Sequence, residues 1–244
     1  MVPYLVKLRK VLPRRAGDAL WQAYWRWFWQ REQRQEEREL GKPASSPIAG
    51  SERAVLAECI AAKYPFDSLL DVGCGYGQNF FTIAPQYPHV RFLGIDTDAS
   101  RIQAGRELLQ RRTISHVELS EADARNLSVF PDKCFDVVVS AAFLLLITPE
   151  EIEHVIREML RLAKKSVLLL EQHDEAAEGP MAALGTFVLR SGGDQGYWVR
   201  NYRTLLESIV AAADIRIRPI PRPRWELELW KSLAHVIEVK PPGS

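Results

Sequence analysis

Leu69-Leu-Asp-Val-Gly-Cys-Gly-Tyr-Gly-Gln78 is the stretch on which the fold turns. An apolar run carrying a single acid, Asp71, leads straight into Gly73, Gly75 and Gly77, and a helical pattern begins at Gln78. Glycine accepts positive φ and lets another group approach the backbone closely. The first turn of the following helix offers free N–H groups. A strand, a glycine turn and a helix in this order open an α/β sheet whose ligands lie beyond the carboxyl ends of the strands.

Working outward, apolar strands alternate with helices. Ser51 caps an expected helix to Lys63, with Glu52 in its first turn. Strands are predicted over Ser68–Val72, Val90–Ile95, Val117–Ser120, Phe135–Ser140 and Ser166–Leu170. Helices are predicted over Gln78–Tyr87, Ala99–Arg112 with Asp98 as N-cap, and from Thr148-Pro-Glu-Glu151, which reads as a capping box, to Ala163. A last helix, Tyr202–Ala213, precedes two β-like stretches, Ile215–Ile220 and Ser232–Val239. Continuously apolar strands alternating with helices mean a parallel sheet covered on both faces. The fold class is α/β and doubly wound, with a hairpin edge at the C-terminal end.

The turn spacing is G-x-G-x-G, with Gln78 where the dinucleotide fingerprint places its third glycine. Asp71 would repel a pyrophosphate but suits a ligand carrying an ammonium or a sulfonium. Asp96, which closes Phe92-Leu-Gly-Ile-Asp96, stands where an acid accepts hydrogen bonds from ribose hydroxyls. Asp123, after the third strand, is near the expected place of an adenine ring, whose exocyclic amine a carboxylate accepts.

Asp71-Val-Gly-Cys-Gly-Tyr-Gly77, Gly94-Ile-Asp-Thr-Asp98, Glu121-Ala-Asp-Ala124 and Phe135-Asp-Val-Val-Val-Ser140 together resemble the successive motifs of class I S-adenosylmethionine-dependent methyltransferases. The resemblance covers roughly residues 51–172. It implies a Rossmann-like seven-stranded, mostly parallel sheet with a reversed last strand. It implies S-adenosylmethionine as cofactor and S-adenosylhomocysteine as product. The methionine end would lie at Asp71, Gly73, Cys74, Gly75 and Gly77, the ribose at Asp96 and Thr97, and the adenine at Asp123 and Ala124. Ser140 and Ala141 would flank the cofactor.

Acceptor-side residues are sought past the fourth and fifth strands. Ala141–Ile147 holds no ionisable group and lacks the Asn/Asp-Pro-Pro-aromatic signature of DNA-adenine amino methyltransferases. It also lacks an acid for a catechol-type magnesium site, so no metal is expected. Glu171-Gln-His-Asp174 follows the fifth strand, and His173 is the candidate general base, since histidine titrates near neutrality. A solvated loop histidine is the competing reading, and Glu171 and Asp174 read as caps or solvated groups. Residues 178–203 form the expected substrate-side insertion, with Tyr197, Trp198, Arg200 and Tyr202, together with Phe143, as candidate substrate contacts.

Residues 1–40 carry nine basic and five acidic residues and four of the seven tryptophans, and read as a helical arm, with 41–50 as linker and 51–244 as the main domain. Trp21, Trp25 and Trp29 form one stripe at helical spacing. A lid, a homodimer surface and a peripheral membrane contact stay open as roles for the arm. A net charge of +1 over 244 residues excludes a global field for nucleic acid. Three scattered cysteines, Cys59, Cys74 and Cys134, exclude a disulfide framework and suit a cytoplasmic setting. The expected function is methyl transfer to a small-molecule or saccharide-like acceptor, oxygen favoured over nitrogen. The alternatives are an RNA or protein methyltransferase and a catalytically silent cofactor-binding protein.

Overall fold

The computed structural model of the chain describes residues 52–177, 185–189, 196–221 and 233–243. The arm 1–40, the linker 41–50 and much of the 178–203 insertion lie outside the described residues.

The chain clusters into two compact units. One comprises Ile48–Thr186 and Trp198–Ser244 and contains a seven-stranded sheet whose strands lie in the order Val117–Glu121, Arg91–Asp96, Ser68–Val72, Phe135–Ala141, Ala163–Gln172, Ala234–Val239 and Ile215–Pro219. The other comprises Met1–Pro47 and Phe187–Tyr197. Two short strands, β6 (Thr186–Leu189) and β7 (Gly196–Val199), pair with each other in a separate small sheet.

In the main sheet β1 (Ser68–Val72), β2 (Arg91–Asp96), β3 (Val117–Glu121), β4 (Phe135–Ala141) and β5 (Ala163–Gln172) run parallel. β9 (Ala234–Val239) is antiparallel to both β5 and β8 (Ile215–Pro219), which makes it the reversed strand. Every residue of β1 is buried, as is most of β4 and β5, which is why these strands are apolar without alternation.

The helices are α1 (Glu52–Ala61), α2 (Gln78–Ile83), α3 (Ala99–Arg111), α4 (Ile152–Leu162) and α5 (Tyr202–Glu207). α4 buries Ile152, Val155, Ile156, Met159, Leu160 and Leu162 on one stripe. Each such side chain contributes about 1.5–3 kcal/mol on burial. Asp98 caps α3 as expected, its carboxylate accepting from the N–H groups of Ser100 and Arg101 at 3.0 and 3.2 Å.

Several boundaries differ from expectation. The Thr148 segment is a turn and α4 starts at Ile152 without a side-chain cap bond, the Thr148 hydroxyl donating to the Glu151 carboxylate at 3.1 Å. The last helix stops at Glu207. β5 runs on past Leu170 through Glu171 and Gln172, both buried, because β9 pairs with it as far as Ala234.

Gly105 lets α3 lie directly on the glycine turn. A Cβ there would stand 2.4 Å from the Tyr76 carbonyl oxygen and 2.5 Å from Leu119. Gly105→Ala improves helix propensity yet must push α3 off the turn. We expect it to destabilise the chain by about 1–3 kcal/mol, an overpacking cost, seen as a lower thermal midpoint.

Candidate active site

The parallel strands end on one side, and the acids anticipated from the sequence gather there. The turn after β1 has φ of +75°, +60° and +77° at Gly73, Gly75 and Gly77. The N–H groups of Gly73 and Cys74 both donate to Ile95 O, at 2.9 and 3.0 Å, which pins the turn to the end of β2.

Asp71 is fully buried at the end of β1. Its Oδ2 accepts from Asn79 Nδ2 at 2.9 Å, while Oδ1 has no hydrogen-bond partner among the described residues. Burial pushes its carboxyl up to about 7. A desolvated carboxylate with one oxygen unsatisfied is costly unless a cation reaches it. Asp96, 21 residues after Gly75, meets a different environment. Its Oδ2 accepts from Gly75 N at 2.9 Å and its Oδ1 from Asp98 N at 3.0 Å, with Arg101 Nη1 3.8 Å away. Each oxygen keeps a further lone pair, so the carboxylate is held in place and still able to accept from hydroxyls. One acid thus suits an ammonium and the other a pair of hydroxyls, and the residues fit S-adenosylmethionine.

The other sequence-predicted cofactor residues divide. Ser140 is buried at the end of β4, its Oγ without a described partner, and Ala141 follows it half-buried. Thr97 is exposed. Cys74 is buried with its sulfur turned toward Gly94, and burial raises its thiol well above the ordinary range, so only its backbone serves the turn. Ala124 points into the core. Asp123 is already engaged: Arg125 clasps both its oxygens at 2.6–3.0 Å and also bonds Glu151, which holds the Asp123 carboxyl below its usual range. An adenine amine must share that carboxylate with Arg125.

On the acceptor side the structure corrects the sequence reading. His173 is neither a solvated loop residue nor a free base. It is completely buried at the end of β5, bridged to Arg200, and its Nδ1 accepts the Tyr202 N–H at 3.0 Å. The ring proton therefore sits on Nε2 and neither nitrogen is open to take another. Burial and the neighbouring His235, 5.0 Å away ring to ring, push it down to about 4. Arg200 and Tyr202, expected to contact substrate, are buried at 0% and 1% exposure. Trp198 is half-buried beside Arg200, and Tyr197 is buried. Phe143 is half-buried against Gly73.

Sequence reasoning missed Asn79, which orients Asp71, and Glu171, which it took for a solvated cap. Asn79 had a readable signal: it lies one residue inside the helix after the turn, facing back to β1.

Residues 69–166 match the family model described as a methyltransferase domain. The trans-aconitate 2-methyltransferase of Paracidovorax citrulli is 28% identical over 130 residues, 52% of this chain and 48% of that protein. The chain spans less than half the length of the curated relatives it matches. Among solved structures, the N-terminal domain of EvdMO1 with SAH bound superposes with a TM-score of 0.58 at 16% identity, covering 87% of this chain and 97% of that one. The [4+2]-cyclase SpnF superposes with a TM-score of 0.50 at 27% identity, covering 67% of this chain and 58% of that one. Residues 69–166 are thus similar to a methyltransferase domain, and the sheet order and the glycine turn agree with that likeness.

Two measurements check the site. The folded chain keeps the Asp71 proton up to about 7, whereas the unfolded chain loses it near 3.8. Asp71 thus withdraws stability as pH rises from about 4 to 7, by up to a few kcal/mol. His173 acts in the opposite sense, adding stability between about 4 and 6.5. Asp71→Asn compared with the parent chain isolates the Asp71 contribution: the variant should gain relative stability across that window in denaturant titrations. Separately, Asp96→Ala should weaken S-adenosylmethionine binding by at least about tenfold in calorimetry, one charge-assisted hydrogen bond or more.

Proposed function

We propose that this chain transfers the methyl group of S-adenosylmethionine to a small-molecule acceptor, at an oxygen that is already ionised when bound. The observation that carries the reading is the pairing of a sealed, half-unsatisfied Asp71 with an Asp96 held open to hydroxyls at the same sheet edge. That pairing answers a ligand with a cationic end and a ribose. The relative named for trans-aconitate, a small polyacid, supports a small acceptor.

When bound, S-adenosylmethionine supplies a methyl group already activated on a sulfonium, so the difficult chemistry belongs to the cofactor. The protein's part is to hold reactants in line and exclude water, which is worth about 7–11 kcal/mol at best. The glycine turn admits the ligand to the backbone, Asp71 and Asp96 fix its two ends, and Phe143 walls the side from which an acceptor approaches. An alcohol acceptor would need a base, and His173 is closed to that role by Tyr202. A carboxylate acceptor needs none.

A transfer assay with methyl-labelled S-adenosylmethionine over pools of carboxylic acids, sugars, amines, peptides and RNA tests this. We expect label in the carboxylic-acid pool, as a base-labile ester. Label confined to peptide or RNA would overturn the small-molecule reading, and label in none, with cofactor binding intact, would point to a silent binding protein. His173→Ala should lower stability by about 1–3 kcal/mol through the lost buried hydrogen bond. The folded fraction should keep its kcat and show no histidine-like limb in the pH profile. A hundredfold fall in kcat would restore His173 as the base.

A further inference from the structure

The segment after β4 is held from both ends by charges that the chemistry described above does not use. Ala142 still pairs with β5, its N–H donating to Leu170 O at 2.9 Å, and then takes a φ of +56°, a left-handed conformation that alanine adopts only when its surroundings demand it. The chain next makes a short 3-10 turn, Leu144–Leu146. Glu171 Oε1 accepts both N–H groups at its leading end, from Phe143 at 3.0 Å and Leu144 at 2.8 Å. Arg200 grips the trailing end: its Nη1 donates to Leu144 O at 2.9 Å and its Nη2 to Ile147 O. A carboxylate sits where the turn's N–H groups point and a guanidinium where its carbonyls point, the arrangement that the turn's own dipole favours. Both side chains are fully buried, and they attract each other.

The residue this clamp places is Phe143. A Cβ built on Gly73 would lie 2.2 Å from the Phe143 ring carbon Cγ, so the ring rests directly on the α-carbon of the first glycine of the turn. Nothing in Phe143's local sequence dictates that contact. It follows from the direction the backbone leaves Ala142, and Glu171 and Arg200 set that direction. We propose that Glu171 and Arg200 are positioning residues for the cofactor site, locking the 143–147 backbone so that the Phe143 ring forms the wall over Gly73. The inference rests on the reading of the glycine turn as the S-adenosylmethionine site. Glu171 acts through Oε1, while Oε2 has no described partner, so a proton added at Oε2 would leave both accepted bonds in place.

The test uses the full chain and two readouts, amide hydrogen exchange without cofactor and S-adenosylmethionine affinity by calorimetry. Glu171→Leu should speed exchange at Phe143 and Leu144 by about a hundredfold or more while Leu70 and Val138 stay protected, the mark of local opening. The same variant should weaken S-adenosylmethionine binding at least about tenfold. Glu171→Gln should rescue both readouts to within about threefold, because an amide oxygen also accepts two N–H groups. Arg200→Lys, which cannot reach both carbonyls, should weaken binding as Glu171→Leu does. Phe143→Ala should lose affinity with exchange at Leu144 unchanged, which separates the ring from the clamp. A folded Glu171→Leu with parental exchange and affinity overturns the proposal, and so does Phe143→Ala with parental affinity. If Glu171→Leu does not fold, Arg200→Lys decides by the same two readouts. Failure of the parent chain to bind S-adenosylmethionine overturns the cofactor reading itself, a result distinct from parental affinity in the variants.

Discussion

Parallel strands all end on the same side, and a sheet buried on both faces leaves its polar groups nowhere else to go. The register sets the consequence. Asp71 stands opposite Gly94 on β2 and Val139 on β4, Asp96 opposite Glu121, and Ser140 opposite Leu169. Residues distant in sequence therefore reach one edge, where the interior's low dielectric meets the cleft. A carboxylate there costs free energy unless something satisfies it. Asp71 and Glu171, both sealed, are pushed up to about 7 by that burial. The core thus does more than hold the chain folded: it delivers charged groups to a place where they are under-solvated and receptive.

Carboxylates take different tasks along this edge. Asp71 has one oxygen satisfied by Asn79 and one waiting. Asp96 has each oxygen anchored by a backbone N–H. Asp123 is occupied by Arg125. Glu171 has turned away from ligand chemistry altogether and spends its charge on the backbone of the segment after β4. The environment, not the residue type, assigns the role.

The family match ends at residue 166, and the likeness to solved structures is one of fold at low identity. Physics accounts for that division. A cofactor shared across a class demands the same turn and the same acids, whereas acceptors differ, and segments carried by the scaffold beyond that shared part, such as the one past β5, are free to differ with them. Of the residues expected on the acceptor side, His173, Arg200 and Tyr202 are all drawn into the interior.

The sequence by itself determined the α/β class, the order of the parallel strands' elements, the glycine turn and the acids Asp71 and Asp96, because each is a local signal. Apolar runs report burial, glycines report positive φ, and an acid at a strand end reports the edge it must reach. It misplaced the end of β5, since Glu171-Gln-His173 is polar and reads as the start of a loop. Only the tertiary structure decided otherwise: β9 pairs with β5 through Gln172, and the Arg200 segment bridges to His173, so the backbone of this polar run is hydrogen-bonded in the interior and His173 Nδ1 accepts the Tyr202 N–H. Long-range pairing of that kind leaves no mark in the local pattern, and with it went the distinction between a candidate base and a buried brace.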